Sequence, residues 1–199
     1  MRYWWVNQNQ THRQEIEGGY LWSPKRKTNN QRNPFYESMR EVAPGDVIFS
    51  FFDTQIAALG IARSYCYESP KPTEFGSAGA YWGAIGWKVD VSFRKINNRI
   101  RPKDHIAELR DALPEKYSPL RPSGEGLQSV YLTAVNAAFA AVLFRLIDHE
   151  ANQVADVGNV VSRAQGLSPA KPNVRRWFRH DAGKVYFEPM FRSLSGPAA

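Results

Sequence analysis

Two apolar segments separated by only three residues constrain the fold more than any other feature of the sequence. Residues 47–52 (VIFSFF) and 56–68 (IAALGIARSYCYE) are rich in β-branched and aromatic side chains, and residues 53–55 link them. So short a link joins antiparallel neighbours, because parallel strands need a crossover of about a dozen residues or more. The sequence therefore predicts a β-hairpin here.

Strict alternation of apolar and polar residues marks a further strand in WKVDVSFRKI, residues 87–96. Period-two alternation places its apolar side chains on one face of a half-buried strand: Trp87, Val89, Val91 and Phe93. Residues 69–86 (SPKPTEFGSAGAYWGAIG), before this strand, are rich in glycine and proline. Loops of this length in compact domains are usually functional or disordered.

The remaining patterns mix strands with helices. Residues 2–6 (RYWWV) and 127–133 (LQSVYLT) resemble strands, whereas residues 7–32 show no helical period. Helices are predicted after the N-cap residues Asn33 and Asn136, and over residues 102–113, where Ile106, Leu109 and Leu113 share an apolar face. Because the strands and helices do not alternate regularly, we expect an α+β domain with a strongly curved, mainly antiparallel sheet.

The periodicity divides the chain into two parts. It is clear over residues 1–150 and fades from about residue 151, and residues 164–173 (AQGLSPAKPN) have the composition of a linker. A hairpin turn is expected at residues 181–183. We therefore predict a domain over residues 1–150 and a basic C-terminal extension over residues 151–199.

Composition limits the cellular context. The longest apolar stretch, residues 136–147, is too short and too interrupted to span a bilayer. The first residues, MRYWWVNQ, lack the long apolar region of a signal peptide. A single cysteine, Cys66, excludes an internal disulfide. We expect a cytoplasmic protein without a membrane partner.

The net charge of +7 is concentrated at the two ends of the chain. Residues 1–40 carry seven Lys or Arg against three Asp or Glu, and residues 151–199 carry the same numbers. The intervening segment is close to neutral. Two basic blocks are typical of proteins that bind a polyanion, although many basic proteins bind none.

No cluster typical of an active site occurs. The four histidines lack zinc-like spacing, and glycine-rich nucleotide motifs are absent. Cys66 lies between Tyr65 and Tyr67 in a predicted strand, which favours a packed thiol over a nucleophile. We therefore expect no catalytic residue, no metal site and no cofactor in this chain.

Six segments carry a resemblance when they are taken in order: MRYWWVNQ, YLWSP, NPFYESMREVAPGDVIFSF, AALGIARSYCYE, AYWGAIGWKVDV and KYSPLRPSGEGLQSVYLT. They resemble the EVE domain of the PUA-like superfamily, which is related to the YTH readers of methylated adenine in RNA. The chain is most similar to the version fused to HNH nucleases in bacterial modification-dependent restriction enzymes. The resemblance covers about residues 1–148.

This resemblance implies a PUA-like, mixed and strongly curved β-barrel flanked by short helices. It also implies an aromatic cage for a flipped or single-stranded modified base. One cage tryptophan of YTH domains stands in a tryptophan–serine step, which Trp22 and Ser23 resemble. Another precedes a strand, as Trp82 precedes GAIGWKVDV here.

The remaining cage positions are less specific in the family. The third wall varies, and Phe51, Trp5 and Tyr81 are its candidates in this sequence. The residues that hydrogen-bond the base edge correspond to Asn7 and Gln8, which follow the first strand.

The residue chemistry agrees with such a site. A base removed from its stack needs aromatic faces, which are worth about 1–3 kcal/mol per base. Amide side chains offer a paired donor and acceptor for its edge. Phosphates need cations, and four follow Trp22 closely: Lys25, Arg26, Lys27 and Arg32.

Each of these features also has a structural interpretation. We expect Trp22 and Trp82 in glycine-flanked loops, where a tryptophan has less scaffold to pack against and contact with a ligand is favoured. The competing interpretation places both rings in the core. The cation run is equally compatible with an ordinary solvated loop.

The histidine and asparagine pattern of an HNH nuclease is not evident after residue 150, although the basic tail could contact a phosphate backbone through Arg175, Arg176, Trp177 and Arg179. We interpret the chain as a DNA-binding reader of modified cytosine, either 5-methyl- or 5-hydroxymethylcytosine. It would serve restriction, with cleavage supplied by another domain or subunit. The alternatives are a PUA-like domain for modified or structured RNA, and a nuclease.

Overall fold

The computed structural model describes residues 1–148. The strands are β1 (Tyr3–Asn7), β2 (Tyr20–Pro24), β3 (Val47–Phe52), β4 (Gln55–Ala62), β5 (Tyr67–Pro70), β6 (Ile85–Ile100) and β7 (Leu132–Val135). The α-helices are α1 (His12–Gly18), α2 (Pro34–Glu37), α3 (Ile106–Leu109) and α4 (Ala137–Ile147). Short 3-10 segments occupy Ser38–Glu41, Thr73–Phe75, Pro102–His105 and Arg110–Ala112.

All seven strands belong to one mixed sheet. Its order is β2-β6-β4-β3-β1-β7, with β5 also paired to β6, and β1 and β3 are the parallel pair. The 16-residue strand β6 pairs with β2 and β5 through its first half and with β4 through its second. Register shifts along β4 bend the sheet, as β-bulges do. The predicted fold class, an α+β protein with a mixed, strongly curved sheet and short helices, is confirmed.

The predicted hairpin is formed by β3 and β4. The pairing runs from Val47 opposite Ile61 to Phe52 opposite Gln55. Asp53 and Thr54 make the turn with φ values of 46° and 65°. Two successive positive φ angles match the right-handed twist of the flanking strands, which explains why so short a link suffices.

The sheet buries apolar side chains on both of its faces. Trp4 and Trp5 point to opposite sides of β1, and both are buried. Trp5 packs with Phe49 and Phe139 in the cluster that includes α4. Trp4 belongs to a second cluster with Leu21. Burial on both faces explains why RYWWV shows no apolar–polar alternation.

The prediction of irregular structure for residues 7–32 was wrong, because this segment contains α1 and β2. Helix α1 ends at Gly19, whose φ of 69° and whose N–H bond to the Glu15 carbonyl form a left-handed cap. All five residues of β2 are buried, so the strand has no polar face to reveal its period. Trp22 therefore lies in a strand and not in a loop.

Other boundaries shifted for local reasons. The second hairpin strand ends at Ala62, and β5 is a separate strand paired to β6. The helix predicted over residues 102–113 is divided into 3-10, α and 3-10 turns, although Leu109 is still buried as its spacing predicted. The last predicted strand begins later, at Leu132. Both predicted N-caps are confirmed: Asn33 accepts a bond from Phe35 N and Asn136 accepts one from Phe139 N.

Several predictions lie outside the described residues. They concern the extension over residues 151–199 with its turn, the boundary at 150 and the tail residues Arg175, Arg176, Trp177 and Arg179. Within residues 1–148, no helix is long and apolar enough to cross a membrane. The same part of the chain has no group of three or more His, Cys, Asp or Glu side chains that could hold a metal ion.

Asp46 offers a test of how the start of the chain is held. Its buried carboxylate accepts bonds from Arg2 N, Trp4 Nε1 and Ala43 N. Each buried donor left without a partner costs about 1–3 kcal/mol. We expect Asp46→Ala to lower the free energy of unfolding by about 2–4 kcal/mol in urea denaturation. Asp104→Ala, at an exposed site, should change it little, and equal effects of the two substitutions would contradict this account.

Candidate functional site

A cleft of about 750 Å³ opens where β1, β2 and the segment before β7 meet. Its lining consists of Asn7, Asn9, Gln10, Thr11, Trp22, Ser23, Pro24, Lys27, Thr28, Asn29, Asn33, Tyr36, Trp82, Gln128, Ser129, Val130 and Tyr131. Four of the predicted base-binding residues are among them (Asn7, Trp22, Ser23 and Trp82), together with the predicted phosphate-binding residue Lys27. Long-range pairing of strands thus brings five separated predicted residues to one cleft.

Two tryptophans form one wall of the cleft. The ring centroids of Trp22 and Trp82 are 6.1 Å apart, with an angle of 26° between the planes. Phe75 meets both rings edge-on, at 5.8 Å from Trp22 and 6.1 Å from Trp82. Trp22 is only 1% exposed, whereas Trp82 is half-buried on a loop. Trp22 is thus packed in the protein and also borders the cleft.

Two glycines allow this close aromatic packing. A Cβ at Gly86 would overlap the Trp22 ring and the Ser23 carbonyl oxygen, so β6 passes directly against β2 at this point. A Cβ at Gly79 would overlap the Trp82 ring, and its φ of 63° favours glycine in any case. Gly79 in the loop after β5 and Gly86 in β6 therefore have a packing role beside the wall.

Beside this wall, Ser23 has a buried hydroxyl with no partner. Ser23 is 1% exposed, and its Oγ makes no hydrogen bond within the described residues. Native proteins rarely leave such a group unpaired, and an unpaired group is commonly explained by an ordered water, an ion or a functional role. Across the cleft, Asn7 donates its amide to Leu127 O at 3.3 Å, which leaves the amide oxygen as an acceptor. The cleft thus combines apolar rings with unused polar atoms.

Beneath the cleft, Glu15 is completely buried and accepts four hydrogen bonds. The donors are Tyr131 Oη at 2.6 Å, Gln8 Nε2 at 2.7 Å, Trp22 N at 2.8 Å and Thr11 Oγ1 at 3.1 Å. Burial raises the pKa of Glu15 to about 7, against the opposing effect of these four bonds. Glu15 therefore holds the residues that line the cleft without lining it.

Gln8 was predicted to bind the base, but it does not line the cleft. Besides its bond to Glu15, its amide oxygen accepts a bond from Ser50 Oγ at 2.6 Å. Ser50 in turn lies 3.4 Å from Nδ1 of His12, whose ring stacks on Phe52 with centroids 4.2 Å apart. Burial, with smaller contributions from nearby cations, lowers the pKa of His12 to about 4. Gln8 belongs to a buried polar network that supports the cleft from behind.

The three candidates for a third aromatic wall lie elsewhere. Phe51 and Trp5 are buried in the core cluster that includes α4, with ring centroids 4.8 Å apart. They pack there because that face of the sheet is covered by α4. Tyr81 is 85% exposed and lines a neighbouring cleft. The aromatic residues that do join the main cleft are Tyr36 and Tyr131.

The four predicted phosphate-binding cations differ in their surroundings. Lys25 pairs with Glu68 and lies over the Trp87 ring at 4.6 Å. Arg26 donates to Asn30 O at 3.0 Å, and Arg32 is exposed. Lys27 lines the cleft and has no carboxylate partner among residues 1–148. Of the four cations, only Lys27 lies in the lining of this cleft.

The functional residues that sequence reasoning missed are polar groups contributed from a distance. Tyr131 reaches Glu15 from the segment before β7, and Tyr36 and Asn33 arrive from the start of α2. The sequence identified Asn33 only as a helix cap, and that was the one local feature that marked this residue. Glu15 lies in a segment without visible periodicity, so nothing local marked it.

The lining suits a neutral or anionic planar ligand. It contains two indole rings, several amide and hydroxyl groups and a lysine, but no carboxylate within the described part of the chain. Cys66 is outside the cleft, and burial raises the pKa of its thiol to about 12, so it is a poor nucleophile. The cleft is therefore organised for stacking and hydrogen bonding.

The raised pKa of Glu15 predicts a pH dependence of stability. The folded protein keeps a proton on Glu15 up to about pH 7, whereas an ordinary glutamate releases it near pH 4.5. The contribution of the protonated form is therefore lost as pH rises from about 4.5 to about 7, by at most about 1.4 kcal/mol per pH unit. Above about pH 7, the contribution of Glu15 to the free energy of unfolding no longer changes with pH.

The measurement is urea denaturation of the wild type and Glu15→Gln between pH 4 and pH 8. We expect the difference in unfolding free energy to fall through the window and then to level off. Glu17→Gln is the matched control, because Glu17 is an exposed glutamate on the same helix as Glu15. A difference that is constant with pH would contradict a raised pKa.

No family model matches the chain, and no curated protein does. Among solved structures, a Pseudomonas putida protein matches with a TM-score of 0.50 and 17% identity, over 73% of this chain and 99% of that chain. A Pseudomonas syringae protein matches with a TM-score of 0.48 and 16% identity, over 73% of this chain and 99% of that chain. A third match is the YTH domain of the Zygosaccharomyces rouxii MRB1 protein, in complex with N6-methyladenosine RNA. Its TM-score is 0.46 and its identity 12%, over 74% of this chain and 87% of that chain. The two scores below 0.5 indicate weaker likeness, and the first likeness concerns the fold alone.

Proposed function

We propose that this chain is a reader of modified bases in nucleic acid. It binds a base that has been flipped out of its stack, and its target is 5-methyl- or 5-hydroxymethylcytosine in DNA. It acts as the specificity module of a modification-dependent restriction system in the cytoplasm. Cleavage is carried out by a nuclease domain or subunit, and no catalytic role is assigned to residues 1–148.

The observation that carries the proposal is the unpaired Ser23 hydroxyl beside the tryptophan wall. A flipped base loses two stacking neighbours and the hydrogen bonds of its pairing edge. Trp22 and Trp82 offer replacement π-faces, and Ser23 Oγ with Asn7 Oδ1 offers a donor and an acceptor for the edge. An orphaned hydroxyl in a buried wall is costly in the free protein, and a ligand that pairs with it removes that cost.

Access to the Trp22 ring requires movement of Trp82. Trp22 is 1% exposed, so no base can lie on its face in the present arrangement. A base between two parallel rings needs them about 7 Å apart, twice the stacking distance of about 3.4 Å, whereas the two centroids are 6.1 Å apart. Because Trp82 lies on a loop and Trp22 in a paired strand, Trp82 is the side that opens. The present state is a closed cage.

The choice of DNA and of cytosine rests on the sequence. The ordered motifs resemble EVE domains fused to HNH nucleases, and those act in restriction of modified DNA. The cleft volume of about 750 Å³ also admits larger bases. RNA is the alternative ligand. Binding of matched DNA and RNA strands would distinguish the two, since a requirement for the 2′-hydroxyl would favour RNA.

The central test is a binding panel of oligonucleotides that differ only in the modification of one cytosine, titrated by fluorescence anisotropy. We expect wild type to prefer a modified cytosine. Trp82→Ala should lose roughly 5- to 150-fold in affinity for it, as one stacking contact is worth about 1–3 kcal/mol. Ser23→Ala should lose roughly 3- to 10-fold, the value of one hydrogen bond.

Ser23→Ala also separates binding from stability. Because the hydroxyl has no partner in the free protein, its removal should leave the melting temperature unchanged or raise it. Ser92→Ala, at an exposed site on β6, controls for the substitution itself. Full preference for modified cytosine in both Trp82→Ala and Ser23→Ala would refute the cage, and a wild type without any preference would refute the reader.

Lys27 is expected to contact phosphate and not the base. Lys27→Ala should weaken binding of modified and plain strands by the same factor and reduce the slope of log K against log salt by about 0.7 to 0.9. Lys116→Ala removes the same charge at an exposed site outside the cleft. If both variants changed the salt slope equally, the effect would reflect net charge and the assignment of Lys27 would fail.

A further inference from the structure

A second cleft adjoins the first. It has a volume of about 480 Å³ and is lined by Gln10, Thr28, Trp82 and the loop residues 77–81. Gln10, Thr28 and Trp82 line both clefts, so the two form one continuous surface with Trp82 at the boundary. Like the first cleft, it has no carboxylate in its lining within residues 1–148.

The aromatic residue of the second cleft is Tyr81. Its side chain is 85% exposed, the largest value among the exposed large hydrophobic residues of the described chain. It makes no ring contact within residues 1–148, in contrast to its neighbour Trp82. A large ring held in solvent beside a cleft contributes nothing to the packing of the free protein.

The loop that carries Tyr81 is nevertheless tied down at several points. Lys71 N donates to Ala84 O at 2.8 Å across its base, and Lys71 Nζ donates to Gly79 O at 3.2 Å. Trp82 N also donates to Gly79 O, at 2.8 Å. These bonds hold the backbone on either side of Tyr81 and leave the Trp82 side chain able to move.

We propose that the second cleft binds the base of the nucleotide next to the modified one, stacked on Tyr81. The inference rests on the proposed function of the first cleft and adds a second nucleotide subsite to it. Tyr81, which was one of three candidates for the third wall of the modified-base cage, is then the platform for the neighbouring base.

The chemistry of the lining favours a nucleobase. Gln10, Thr28 and Ser77 make no side-chain hydrogen bonds within the described residues, and they line the same cleft as Tyr81. Aromatic stacking on a base tolerates any sequence, because every base has a π-face. Lys27, adjacent in sequence to Thr28, lines the first cleft and places a positive charge beside the strand that would connect the two bases.

Two occupied subsites restrict the form of the target. Both the modified base and its neighbour must be unstacked from each other, because Trp82 stands between the two clefts. Such a geometry suits a single strand, or a duplex opened over two positions. The protein would therefore bind a modified base in single-stranded DNA more tightly than the same base in a duplex.

The test compares three single-stranded probes that contain one 5-methylcytosine: one intact, one with an abasic site on its 5′ side and one with an abasic site on its 3′ side. Each is titrated against wild type, Tyr81→Ala and Tyr81→Phe. Tyr65→Ala, another exposed tyrosine at 55% that lines neither cleft, is the matched control.

We expect one of the two abasic probes to bind wild type roughly 5- to 150-fold more weakly than the intact probe. Tyr81→Ala should bind the intact probe with a similar loss and show no further loss on that abasic probe, because the two changes remove the same contact. Tyr81→Phe should retain the tight binding, and Tyr65→Ala should behave as wild type.

Two results would overturn the inference while leaving the first cleft intact. One is equal binding of all three probes by wild type, with the preference for 5-methylcytosine retained. The other is a loss from Tyr81→Ala that adds fully to the loss from each abasic site. If wild type showed no preference for 5-methylcytosine in any probe, the proposed function itself would fail.

Discussion

The buried carboxyl of Glu15 organises the part of the molecule in which the candidate site lies. It accepts bonds from Gln8 and Thr11 at the end of β1, from Trp22 in β2 and from Tyr131 before β7. Gln8, Thr11 and Trp22 lie within seven residues of Glu15, whereas Tyr131 is 116 residues away, and the carboxyl gives all of them one shared acceptor. A buried carboxyl group is costly unless it is hydrogen-bonded, so the bonds to Glu15 favour the arrangement that keeps these four donors around it.

This constraint also determines how rigid each wall of the cleft is. Trp22 is held through its backbone by Glu15 and through Nε1 by Ser69 O at 3.3 Å. Trp82 belongs to a loop that is fastened at Lys71 and Gly79 but has no strand partner of its own. A fixed wall facing a movable one is an arrangement that lets a binding site open and close without disturbing the sheet.

The features of the fold that could be predicted are those that depend on residues close together in the sequence. The hairpin of β3 and β4 and the caps Asn33 and Asn136 depend on neighbours in sequence, and each was predicted correctly. Strand β2 depends on β6, and all of its residues are buried, so neither periodicity nor turn residues revealed it. Leu109 was correctly assigned to the core even though its helix is broken into short turns.

The site shows the same division. The sequence by itself determined which residue types are available: tryptophans beside glycines, a serine after Trp22, an amide after β1 and a run of cations. It also determined the α+β class, because hairpin links and apolar periods are local properties of the chain. The tertiary structure alone decided that Trp22 and Trp82 share a wall, that Gln8 supports the cleft from behind and that Tyr81 lines a different cleft. Those outcomes depend on which segments the folded chain brings together, and a contact between distant segments leaves no pattern in either one.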